Sequence, residues 1–254
     1  MSMEKYKIGI ALSGGGARGI AHLGVLKALE EKNLAPEVIS GASAGSIVGA
    51  LYADGHTPEE IFKFFQASGF YKFVKFGLEP RGILKLDGLV KVLKDHLSVE
   101  RIEDLKKPLF IGCTEFNSGK QRLFSEGDLS VLVMASCSIP ILFKAVEYES
   151  KLLIDGGVVS NLPIEPLVDQ CAVLIGSHVN PIDEKDDLTG WMNLVDRVFS
   201  LATYNTIRDH IPKCDLFIEP KELAHYGIFS TSQDRSMFEL GYEEALKVLE
   251  SNGY

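Results

Sequence analysis

The sequence predicts an α/β protein, a three-layer α/β/α arrangement with a mostly parallel central sheet, and three observations carry that expectation. Apolar runs of strand length recur along the chain. Between several of them lie stretches with helical spacing of apolar residues, the alternation that builds a parallel sheet covered on both faces. The first two strand-like runs also pass through glycine-rich turns straight into helices, in "IALSGGGARGIAHLGVL" at 10–26 and "EVISGASAG" at 37–45.

In chain order the strand-like runs are "KIGIAL", "EVIS", "PLFIGC", "QRLF", "KLLI" and "AVLIGSHV". Helices are expected over roughly 17–31, 43–54, 58–68, 87–97, 128–136, 189–209 and 235–250, with Asp87 as an N-cap and Asn33 as a C-terminal stop. "NSGK" at 117–120 reads as a hairpin turn, so one antiparallel excursion is expected within the parallel order.

With 254 residues, 46% of them hydrophobic, the chain can bury one large core and is read as a single domain, 1–254. A net charge of −9 opposes nucleic-acid binding, which needs clustered Lys and Arg. Cys113, Cys137, Cys171 and Cys214 form no C-x-x-C pair and are expected to be buried free thiols. The N-terminal apolar run is too short for a signal peptide, and no segment approaches about 18 unbroken apolar residues, so a cytoplasmic protein is expected. The acidic run "DEKDD" at 183–187 lacks EF-hand spacing and reads as a solvated loop.

The first glycine turn gathers backbone N–H groups at a helix start, a place for an anion. Gly14, Gly16 and Gly19 satisfy G-x-G-x-x-G, which raises a nucleotide-dependent oxidoreductase as one reading. That fold needs an acid at the end of the second strand, where this chain has Ser40 and Gly41. The second turn, "GASAG", instead puts Ser43 in G-x-S-x-G between a strand and a helix, the setting of a strained, exposed nucleophile. The anion then becomes the O⁻ of a tetrahedral intermediate, with backbone N–H groups around Gly15, Gly16 and Ala17 as donors and Arg18 adding charge or orienting the turn. Asp155, at the end of "KLLI" and followed by two glycines, is the candidate base.

Together "GGGARG", "GASAG" and "DGG" resemble the signature of the patatin-like phospholipase family, and "ASCSIP" at 135–140 matches the family's further A-S-x-x-x-P block. The resemblance covers about residues 6–180 and points to bacterial and neuropathy-target-esterase-like members. It implies a patatin-like fold and a serine acyl hydrolase with a Ser43–Asp155 dyad. The oxyanion hole would lie at Gly14, Gly15, Gly16, Ala17 and Arg18. A lipid or lysophospholipid ester is the implied substrate, and no metal or organic cofactor is implied.

A Ser-His-Asp triad of the α/β-hydrolase type is the alternative, with His178, His210 and His225 as its candidates in chain order. His22, beside Ile20, Leu23 and Leu26, reads as a packing histidine. Residues 62–76, "FKFFQASGFYKFVKF", combine aromatics and lysines with no acid. That composition suits either peripheral membrane contact or the lining of an acyl pocket.

Overall fold

The computed structural model describes residues 5–68, 86–184, 189–228 and 235–254. Its strands are β1 (Tyr6–Leu12), β2 (Val38–Ala42), β3 (Leu109–Glu115), β4 (Lys120–Phe124), β5 (Val146–Tyr148), β6 (Lys151–Asp155), β7 (Cys171–Ser177) and β8 (Leu216–Ile218). Its helices are α1 (Ala21–Glu31), α2 (Ala44–Ala53), α3 (Pro58–Ser68), α4 (Asp87–His96), α5 (Leu129–Ser136), α6 (Trp191–Ile207) and α7 (Arg235–Ser251).

Strand alternation builds two cores. Ile10 and Leu12 of β1 join one, with Leu109 and Ile111 of β3, under helices α1 to α5 and α7. Ala11 and Leu174 enter the other with Leu162, Ile164 and Leu167, where the end of α6 contributes Ile207. Helices therefore flank the sheet on both faces. The strand order is β5-β6-β3-β2-β1-β7-β8, with β4 also paired to β3. Neighbours from β3 through β2, β1 and β7 to β8 are parallel.

Local chemistry explains several boundaries. α3 starts with a reciprocal cap in which the Thr57 N–H donates to Glu60 and the Glu60 N–H to Thr57 Oγ1. Asp128 caps α5 by accepting from the Val131 N–H at 2.9 Å. After α1 the chain turns at Asn33, whose φ of 59° is left-handed, as expected of a helix stop. Gly119, at φ 66°, turns the β3–β4 hairpin within "NSGK".

Four expectations need correction. Leu86 holds the N-cap position of α4 and Asp87 is its first helical residue. The helix expected from 17 begins as a 3-10 segment, Gly16–Ile20, because the Ala17 N–H is drawn to Ile228 O, and α1 proper starts at Ala21. Antiparallel pairing is not confined to one hairpin, since β6 runs back along β3 and β5 pairs with β6. Cys113 and Cys137 are buried, but Cys171 opens β7 and Cys214 precedes β8, so both are only half-buried. None of the four forms a disulfide among the described residues.

Candidate active site

Two strands meet head to head along one edge of β3. β2 runs parallel to it and ends with Ala42 opposite Gly112. β6 arrives antiparallel and ends with Asp155 opposite Cys113, the next residue of β3. Because β4 occupies the other edge over the same residues, β2 and β6 share this one. The residue that follows Ala42 is Ser43, so the serine and the aspartate are brought together at the junction.

Ser43 opens α2 with φ 51° and ψ −123°, a conformation that costs a non-glycine residue about 1–3 kcal/mol. The turn closes only because Gly45 has no side chain: a Cβ there would run into Leu12 O. Ser43 is 6% exposed and Asp155 fully buried. Asp155 Oδ1 accepts from the Gly157 N–H at 2.8 Å, within its own D-G-G turn. Among the described residues, no group reaches its Oδ2 with full hydrogen-bond geometry. Burial pushes the Asp155 pKa up to about 7, partly offset by the Ser43 hydroxyl and the Gly157 N–H.

"ASCSIP" holds both residues. Ser136 Oγ accepts the Ser43 N–H at 2.8 Å and donates to Gly112 O at 2.6 Å. Two residues on, Ser138 O accepts the Asp155 N–H at 3.0 Å. The sequence marked this block, but nothing in its spacing told which serine would reach the Ser43 backbone. Cys137, between them, is held above its ordinary thiol pKa, chiefly by burial and then by the Asp155 charge.

The glycine turn is fixed from several sides. The Gly14 N–H donates to Asn161 O, and Asn161 Nδ2 returns a bond to Gly14 O at 3.3 Å. The N–H of Ala17 donates to Ile228 O and that of Arg18 to Gly15 O. Among the described residues, the N–H groups of Gly15 and Gly16 have no such acceptor. Gly16 sits at φ +57°, where a Cβ would strike Ile228 O. Of the donors expected around Gly15, Gly16 and Ala17, the last is therefore already engaged.

Arg18 is 1% exposed. Its Nε donates to Tyr226 O at 2.7 Å and its Nη1 to Asn180 Oδ1. Burial lowers its pKa, opposed by the charge of Asp196. Arg18 thus orients the turn from beneath. Asn161 and Asn180 were missed in the sequence because their partners lie 147 and 162 residues away.

His22 is buried, with Nε2 2.9 Å from Ser13 O and Nδ1 2.8 Å from Ser177 Oγ. A carbonyl only accepts, so Nε2 carries the proton and the Ser177 hydroxyl donates to Nδ1. Burial lowers the His22 pKa to about 4, which keeps this tautomer neutral. His178 pairs through Nδ1 with Glu219 Oε1 at 2.8 Å, with a pKa lowered to about 3 by burial. His210 bonds Leu162 O, and His225 ends the 3-10 segment Lys221–His225.

In the aromatic stretch Phe62 and Phe65 are buried, with Phe62 edge-on to Phe238, so these two rings belong to the core. Residues 69–76 lie outside the described residues, as does most of the "DEKDD" run. Among the described residues no helix is long and apolar enough to cross a membrane.

Comparison with known proteins bears on this arrangement. VipD from Legionella pneumophila shares the fold with a TM-score of 0.59, over 98% of this chain and 67% of that one, at 16% identity. An uncharacterised NTE family protein of Mycobacterium bovis is 32% identical over 203 residues, and lysophospholipase NTE1 of Candida glabrata is 32% identical over 213. Each alignment takes in 75% of this chain, but only 56% of the mycobacterial protein and 12% of the yeast one. The family model for patatin-like phospholipase matches residues 10–168. That span takes in the glycine turn, the serine elbow, "ASCSIP" and Asp155 as one unit, and this chain belongs to the patatin-like phospholipase family.

Proposed function

We propose that the protein is a serine acyl hydrolase that releases a fatty acid from a phospholipid or lysophospholipid ester through a Ser43–Asp155 dyad. The observation that supports this reading is the head-to-head approach of β2 and β6, with Ala42, the residue before Ser43, and Asp155 on successive rungs of β3. Support for the substrate class comes from the family and from a relative named as a lysophospholipase.

In this mechanism Ser43 Oγ attacks the ester carbonyl while the Asp155 carboxylate accepts its proton. The Gly15 and Gly16 N–H groups receive the developing oxyanion, and a preorganised donor of this type is worth on the order of 3 kcal/mol in the barrier. Asp155 then protonates the departing alkoxide, leaving acyl-Ser43. Water attacks the acyl-enzyme with Asp155 again taking the proton, and fatty acid leaves as Ser43 recovers its hydrogen. A carboxyl poised near pH 7 can take and return a proton at neutral pH.

The test is a comparison of variants on a soluble p-nitrophenyl ester. Ser43→Ala and Asp155→Asn should lose nearly all turnover, while Gln at His22, His178, His210 or His225 retains most of it. A folded histidine variant as inactive as Asp155→Asn would replace the dyad with a triad.

A further inference from the structure

Helix α6 turns a polar strip inward beside its apolar contacts. Asp196, Ser200, Thr203 and Ile207 recur at i, i+4, i+7 and i+11 and are no more than 4% exposed, while Val195 and Phe199 next to them pack on the core. Leu194, Val198 and Leu201 follow the same spacing on the opposite side and are 45%, 59% and 41% exposed. A helix of a water-soluble surface has the reverse polarity. The inward face has a partner: Asn180 accepts from Ser200 and donates to Thr203, and the same Asn180 receives Arg18. Among the described residues, the outward stripe stays exposed.

Position and charge indicate what covers it. α6 packs on the turn that follows Asp155, where the Asn161 N–H donates to Thr206 Oγ1 at 3.0 Å and a Cβ on Gly157 would touch the Thr203 methyl. Val158 in that turn is itself 40% exposed, bringing apolar surface to within three residues of Asp155. In a chain of net charge −9, the one carboxylate of α6, Asp196, points inward. Arg197, half-buried with its Nη1 donating to Asp183 O at 2.8 Å, and the exposed Arg208 just past the helix end flank the stripe. Apolar side chains flanked by guanidinium groups match a phospholipid surface, where rings and methyls enter the acyl boundary and cations meet phosphates.

We propose that the outer face of α6, through Leu194, Val198 and Leu201, docks the protein on an anionic phospholipid surface beside the active site. The proposal rests on the lipid-ester reading for its choice of partner. Sedimentation with vesicles of phosphatidylcholine and phosphatidylglycerol tests it in a Ser43→Ala background, so that binding is read without hydrolysis and an error in the catalytic assignment leaves the result unaffected. Changing Leu194, Val198 and Leu201 together to Gln should lower vesicle partitioning about tenfold or more, with unchanged melting temperature. The same triple change in the active enzyme should leave turnover of a soluble ester intact. Asn205→Leu, which extends the stripe, should raise partitioning, and Arg197→Gln with Arg208→Gln should weaken binding to anionic vesicles more than to neutral ones. Equal partitioning of parent and triple variant would overturn the proposal. So would a parent that is dimeric in solution and becomes monomeric with the triple change, which would assign the face to a second copy of the chain.

Discussion

Ser136 is the side chain on which the geometry of Ser43, the proposed nucleophile, rests, since it bridges Gly112 O of β3 and the N–H of Ser43. Both bonded groups are buried, so Ser136→Ala leaves a donor and an acceptor unsatisfied at about 1–3 kcal/mol each. With the elbow already strained at φ 51°, that loss should let Ser43 drift from its attack position. The expected outcome is a fall in kcat of about tenfold or more with KM nearly unchanged, measured on a soluble ester alongside the melting temperature. Wild-type kcat in a folded Ser136→Ala protein would show that the bridge is only structural. At this scale the sequence revealed the residues that carry recognisable blocks, Ser43 and Asp155 among them. It hid those acting through long-range backbone bonds, such as Ser136, 93 positions from its partner.

Elements were legible in proportion to their length and periodicity. The helices lie within a few residues of their expected bounds because apolar spacing sets them, whereas β5 and β8, three residues each, are too short to show any period. β6 was visible as a strand, but its antiparallel docking on β3 depends on the partner edge and not on its own residues. Periodicity likewise disclosed α6 without disclosing which face would turn outward. That orientation matters because its inner face, through Asn180, supports Arg18 and so the glycine turn. Arg18 forks to Tyr226 O and Asn180 Oδ1, a task a single ammonium cannot reproduce. Arg18→Lys should therefore retain the charge yet lose about 100-fold in kcat. Undiminished kcat in that variant would mean that charge, and not the two-armed tie, is what the turn needs.

For the whole molecule, the buried carboxyl that serves the proposed chemistry works against stability. Asp155 ionises near its ordinary 3.8 in the unfolded chain and near 7 in the fold. Between those pH values the unfolded state releases a proton that the native state keeps, so folding stability falls as pH rises through the window. The cost reaches on the order of 4 kcal/mol above pH 7. Asp155→Asn should consequently melt at a higher temperature than the parent at pH 8, with the two curves converging towards pH 4. A parent that is the more stable of the two at pH 8 would show the carboxylate to be well solvated or paired. The same titration enters the most direct test of the dyad, the rate of covalent labelling by a fluorophosphonate probe as a function of pH, with the modified peptide mapped. The account predicts labelling at Ser43, at a rate that rises with pH through about 7 and is abolished in Asp155→Asn. Labelling of a different serine, or of Ser43 at an undiminished rate without Asp155, would contradict it.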